Sequence, residues 1–212
     1  RPGDQIKNKG GNTSANQHQQ NYSAPQYHVA IGLSNARLLL VMRSCYIGQS
    51  LIRTLVMELA IMKLVKELLH LAPSMTDWRQ TLHQHPELAF AEHRTSAFVA
   101  AQLRACGLEP AEGIGGTGVV AVIKGIEPGP VIALRADMDA LPMNDESGQV
   151  YASHTPGCSH SCGHDGHTAA LLGTAHYLAS HPPARGSVVL IFQPAEENGM
   201  GARAMIRDGR LE

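Results

Sequence analysis

The sequence predicts an α/β fold, with a mostly parallel sheet covered by helices on both faces. Three observations predict it. The apolar runs "GVVAVIKG" (118–125), "PVIALRADMD" (130–139) and "GSVVLIFQPAEE" (186–197) are bounded by Gly and Pro, the punctuation expected of strands. Their apolar residues are continuous, as in strands buried on both sides. Stretches with helical spacing separate them. With 212 residues, 43% of them apolar, the chain is long enough for one domain with a real core and room for an appendage.

The first 28 residues are polar and rich in Asn, Gln and Gly, so they bury too little apolar area to offset chain entropy. Residues 29–61 are apolar but irregular. Segment 1–61 therefore reads as a disordered or non-native extension, and the ordered domain as 62–212, starting near Met57 or Met62. "MKLVKELLHLA" sets Leu64, Leu68 and Leu71 at helical spacing. "TDWRQTLHQH" reads as a second helical piece that stops before Pro86. "HRTSAFVAAQLRACG" aligns Val99, Leu103 and Cys106 and ends at Gly107, a natural helix stop. "HTAALLGTAHYLASH" aligns Leu171, Ala175 and Leu178, with Thr168 as the expected N-cap. "MGARAMIRDG" begins a last helix.

Composition excludes several functions. The 17 Lys+Arg nearly balance the 18 Asp+Glu, which argues against nucleic acid or an anionic membrane as partner. The apolar region 29–62 is interrupted by Arg37, Arg43, Arg53 and Glu58, so no stretch reaches the ~20 apolar residues of a spanning helix. A signal peptide fits poorly, because the apolar part lies far from the N-terminus. Cys45, Cys106, Cys158 and Cys162 form no regular framework, which points to a reduced, cytoplasmic setting.

The chemistry gathers at strand ends. "VIALRADMDA" runs into Asp137 and Asp139, and "VVLIFQPAEEN" into Glu196 and Glu197. Open α/β sheets bind ligands beyond the carboxyl ends of their strands. Between these strands lies "SHSCGHDGHTAALLG" (159–173), with Cys162 and His164 one residue apart. Thiolate, imidazole and carboxylate together suit zinc and related divalent ions. Of the two glutamates, one can bind metal and the other act as general base. Each motif has a plainer explanation: a Glu-Glu pair also suits a helix start, and "RADMD" could be a capped strand end. His83 and His85 read as packing or water-facing groups. Cys158 makes "CSHSCGH" look like half of a structural zinc site, but no second pair follows to close it. Cys45 and Cys106 read as buried or incidental. The case for a metal centre is the conjunction at one sheet edge.

"LHQHPELAFAEHRTS", "LRADMDALPM", "SHSCGHDGHTAALLG" and "FQPAEENGMGA" resemble, in order and spacing, the metal-dependent N-acyl-amino-acid amidohydrolases. That group holds hippurate hydrolases, aminoacylase-like enzymes and auxin-conjugate hydrolases, within the aminoacylase/carboxypeptidase clan. The resemblance covers about 62–212. It implies a three-layer αβα catalytic domain with two divalent metal ions (Zn, Mn, Co or Ni). By matching motif it makes Cys162, His164 and Glu197 metal ligands and Glu196 the general base, and it places Asp139 where the clan's aspartate orients a ligand at the metal site. The implied reaction is hydrolysis of the amide of a small N-acyl amino acid by water that the metals activate. Position 158 departs from the pattern, being Cys where relatives are often basic, and "ENGMGA" is less glycine-rich than usual. The family also carries two further histidine ligands and an inserted lid domain, which commonly mediates dimerisation. Neither is present by Glu212, so the chain reads as an N-terminal fragment. The alternatives are an inactive truncated metal-binding fragment and an exopeptidase of the same clan.

Overall fold

The computed structural model describes residues 46–209. Residues 1–45, most of the segment read as disordered or non-native, lie outside the described residues, and Cys45 with them. Helix α1 (Tyr46–Gln84) leads into α2 (His93–Ala105), the strands β1 (Ala111–Ile114), β2 (Gly118–Lys124) and β3 (Glu127–Asp137), then α3 (His164–Ser180), β4 (Arg185–Gln193) and α4 (Gly201–Asp208). No helix among the described residues is long and apolar enough to cross a membrane.

The α/β class stands, and the sheet itself is mixed. Its order is β1-β2-β4-β3. Only β3 and β4 run parallel; β1–β2 and β2–β4 are antiparallel. The antiparallel part follows from a tight β1–β2 hairpin, whose turn spans only 115–117, too short for the crossover a parallel pair needs. β3 is an edge strand. Val131 and Ile132 are exposed on it, although their apolar run predicts burial on both faces.

Alternation along β4 divides the core. Val188, Leu190 and Phe192 point to one face, where Val99 and Leu103 of α2, Leu172 of α3 and Trp78 of α1 meet them. Val189 and Ile191 point to the other, against Met205 of α4. Burying each of the larger side chains contributes roughly 1.5–3 kcal/mol.

Three local readings change. The expected break between two helices near residue 73 is absent, because α1 runs through Pro73 as one helix. Its C-terminal half is held by tertiary packing: Met75 lies so close to α3 that a Cβ on Gly173 would meet its sulfur at 2.6 Å. The same helix runs through the expected domain start near Met62. α3 starts at His164, and Gly163 supplies the left-handed turn before it, with φ 87°. Thr168, expected as the N-cap, instead donates its hydroxyl to the Asp137 carbonyl at 2.8 Å.

Two glutamates lock the N-terminus of α2. The Glu87 carboxylate accepts the backbone N–H groups of Arg94 and Thr95 at 3.0 and 2.8 Å, which satisfies first-turn donors. Glu92 is thereby free to turn inward and is fully buried. One of its oxygens accepts the Thr117 hydroxyl at 2.5 Å, and the other accepts the Ala195 N–H at 2.8 Å. Ala195 sits at φ 49°, a left-handed conformation that costs a non-glycine residue about 1–2 kcal/mol. Glu92 holds it there.

Glu92→Ala would strand two buried donors and open a cavity. The expected loss is about 2–4 kcal/mol of unfolding free energy, read by urea denaturation. Glu92→Gln, which keeps an acceptor for Ala195, should lose clearly less.

Candidate metal centre

The parallel register of β3 and β4 sets the site. Asp137 pairs with Gln193, and the Met138 N–H donates to the Gln193 carbonyl at 3.0 Å. The segment 137–139 therefore leaves the sheet beside Pro194, Ala195, Glu196 and Glu197. The loop before α3 brings Cys162 and His164 to the same edge.

Asp139, wholly buried, ties these three segments together. Its two oxygens accept the N–H groups of Glu196 and Glu197 at 2.9 and 3.0 Å. Its backbone carbonyl accepts Nδ1–H of His164 at 2.8 Å. Burial pushes the Asp139 carboxyl up, but the bonds from His164 and from the Glu197 and Glu196 amides outweigh it and hold the pKa below the ordinary value.

With Nδ1 engaged, the His164 Nε2 faces outward. It lies 3.6 Å from Asp137 Oδ2 and 3.7 Å from both Glu196 Oε2 and Glu197 Oε1. These gaps are too long for good hydrogen bonds. They suit ligands that share an ion, since tetrahedral donors about 2.0–2.3 Å from zinc sit roughly 3.3–3.8 Å apart. Ligand atoms of Cys162, His164 and Glu197 all lie within 4.8 Å of one another, and so do those of Asp137, His164 and His167. Glu197 Oε1 is buried without a hydrogen-bond partner, the mark of a group awaiting one. The donor set thus fits a divalent cation. Glu196, its side chain 40% exposed, faces the open side of the same cluster.

The remaining histidines divide by role. His167 donates Nδ1–H to Asp137 at 2.6 Å; nothing in its sequence position separates it from the rest of α3. His83, read as packing or water-facing, is buried, with Nδ1 2.8 Å from Asp165 and Nε2 3.2 Å from Asp145. Arg79 also donates to Asp165, at 3.1 Å. His85 packs edge-on against His154, and His176 against Trp78. His160 is buried with neither ring nitrogen bonded; burial pushes its pKa down to about 4. Cys158 is buried and Cys106 half-buried, and neither belongs to a ligand group found among the described residues.

Fold and site together define an α/β protein with a Cys/His/Glu cluster, its donor atoms spaced to fit a divalent cation, at the carboxyl ends of two parallel strands. Residues 133–212 match the family described as peptidase family M20/M25/M40. The matched segment contains Asp137, Asp139, Cys162, His164, Glu196 and Glu197, so the chain resembles that family where the cluster lies. It is 46% identical over 151 residues to the hippurate hydrolase of Campylobacter jejuni, covering 71% of this chain and 39% of that protein. It is 48% identical over 135 residues to the N-acetyl-L-cysteine deacetylase of Bacillus subtilis, covering 63% of this chain and 32% of that protein. The YXEP protein of Bacillus subtilis, described as a dinuclear metal binding peptidase of the M20 family, has a similar structure: TM-score 0.63 and 43% identity, covering 66% of this chain and 40% of that one. The chain thus spans less than half the length of these relatives.

The protonation of the donor groups sets the pH dependence expected of cation binding at this cluster. Burial opposes the charge on His164, but the Asp139 bond and the nearby Asp137 charge raise its pKa to about 9. Contact with Glu197, then burial, raises the Cys162 thiol. Both groups hold protons at neutral pH, and both must release them to bind metal. Calorimetry of zinc binding in buffers of different ionisation enthalpy should show one to two protons released per ion. Affinity should fall about 10- to 100-fold per unit as pH drops below 9. An affinity flat across that range would contradict the ligand assignment.

Proposed function

We propose that the protein hydrolyses the amide bond of N-acyl amino acids, using two divalent cations held at this sheet edge. The observation that carries the reading is the convergence of Cys162, His164 and Glu197, with Glu196 beside them. Bound cations would supply Lewis acidity, polarising the amide carbonyl and lowering the pKa of water to roughly 7.

The chain's own residues do the rest. Cys162, His164 and Glu197 hold the cation. Asp139 keeps His164 in the tautomer that presents Nε2, and it fixes the backbone of both glutamates. Glu196 is the general base: it takes a proton from the attacking water and returns it to the leaving amine, so the proton count balances. Asp137, held by His167 and lying 3.3 Å from Arg135, borders the same space. The names of the hippurate hydrolase and deacetylase relatives, together with the dinuclear description of the solved relative, support both the substrate class and the two-ion centre.

The test is a division of labour between neighbours in the full-length protein. Glu196→Ala should lower kcat for N-acetyl or N-benzoyl amino acids about 10²- to 10⁴-fold while metal content by elemental analysis stays unchanged. Glu197→Ala should lower metal content itself. Dipeptides cleaved far better than acyl amino acids would favour the exopeptidase reading. Metal bound with no amide turnover would favour the non-catalytic one.

A further inference from the structure

Glu92 stands outside the metal-binding cluster, yet its carboxylate reaches the segment that carries both glutamates. It belongs to no ligand group found among the described residues. Its side chain makes no cap for α2; Glu87 accepts the first-turn N–H groups instead. A wholly buried carboxylate is costly unless its oxygens are bonded. Here one oxygen takes the Thr117 hydroxyl and the other the N–H of Ala195, 103 positions away. Thr117 is itself buried. Its hairpin is pinned at Gly115, whose N–H donates to Asp208 at 3.0 Å. Glu92 therefore points at Ala195 from a fixed post.

The N–H groups of Ala195, Glu196 and Glu197 donate in succession to two buried carboxylates. Each bond fixes one planar peptide unit. Glu92 holds the unit before Ala195, and Asp139 holds the unit after it. Together they fix the backbone of Ala195 at φ 49°, a region that alanine ordinarily avoids. The chain just upstream cannot yield, because Gln193 pairs with Asp137 in the sheet and accepts the Met138 N–H. Once Glu92 lets go, relaxation of Ala195 is passed downstream, to Glu196 and Glu197.

We infer that Glu92 is a positioning residue for the hydrolysis. Through the Ala195 N–H it sets the placement of Glu196 against the attacking water and of Glu197 on the cation. This rests on the amidohydrolase reading above.

The test compares Glu92→Gln with Glu92→Met in the full-length protein. Gln keeps an acceptor for Ala195; Met keeps the volume and removes the acceptor. A misplacement of about 1 Å can cost about 100-fold in rate. At saturating zinc, Glu92→Met should lower kcat for N-acetylglycine about 10- to 100-fold with KM nearly unchanged, and Glu92→Gln should restore most of it. In the cobalt-loaded protein, Glu92→Met should shift the visible absorption bands, which report the donor geometry around the ion, and Glu92→Gln should leave them in place. Thr117→Val, which frees one end of Glu92 and leaves Ala195 its acceptor, should lower kcat about 3- to 10-fold, and Thr117→Ser should not.

Wild-type kcat in a folded Glu92→Met protein, equal losses in the Gln and Met variants, or a loss confined to KM would each overturn the assignment. Should Glu92→Met fail to fold, wild-type kcat in Thr117→Val would overturn it instead. Absence of any amide turnover by the wild-type protein would overturn the amidohydrolase reading. The cobalt bands then judge the placement of Glu197 alone, and bands unmoved by Glu92→Met would overturn that as well.

Discussion

The carboxylate of Asp139 accepts two backbone N–H groups from one loop, while the carbonyl of the same residue accepts an imidazole N–H from another. That arrangement decides which atoms face the centre of the cluster. It selects the His164 tautomer, and second-partner contacts of this kind set the orientation of metal-binding imidazoles. It also anchors the Glu196–Glu197 backbone, which leaves both side chains facing His164. A buried carboxylate left unpaired would be costly. Here two backbone N–H groups compensate it, so the residue is stable and directional at once.

The wider fold serves this junction. A parallel β3–β4 pair brings two acidic strand ends side by side, and α3 begins beside them with His164 in its first turn. Glu92 holds Ala195 in a left-handed conformation just before the glutamates. Backbone strain next to a candidate site persists only where its surroundings fix it, and the Glu92 bond is such a fixture. Four carboxylates, Asp137, Asp139, Glu196 and Glu197, then surround a single imidazole. So much negative charge around one small space calls for cations.

Much of this was legible in the residues, and what was hidden has physical reasons. Continuous apolar runs located β2, β3 and β4. Strand direction is not written in composition, so the antiparallel placement of β2 was not foreseen. β1, "AEGI", is short and polar and carries no periodic signal. The helical pieces 62–72 and 76–85 read as separate, and packing against α3 joins them through Pro73. At the site, Cys162, His164 and Glu197 stood out because their residue types are rare in combination. Glu92 and Ala195 are 103 positions apart, and His83 and Asp165 are 82 apart. Partnerships of that range arise only once the sheet has formed. His167 went unassigned because it looks like one more residue of the helix it sits on, until Asp137 is placed opposite it. The unpartnered nitrogens of His160 are likewise visible only in the folded chain.

The most direct test of the central claim is the zinc affinity of Asp139→Asn, measured calorimetrically against the full-length wild-type protein at pH 8. The amide has one acceptor where the carboxylate has two, so one glutamate N–H would face an NH₂ group and the loop would lose its anchor. Affinity should fall about 10- to 100-fold while the far-ultraviolet circular dichroism spectrum stays native. Wild-type affinity in a natively folded Asp139→Asn protein would contradict the account.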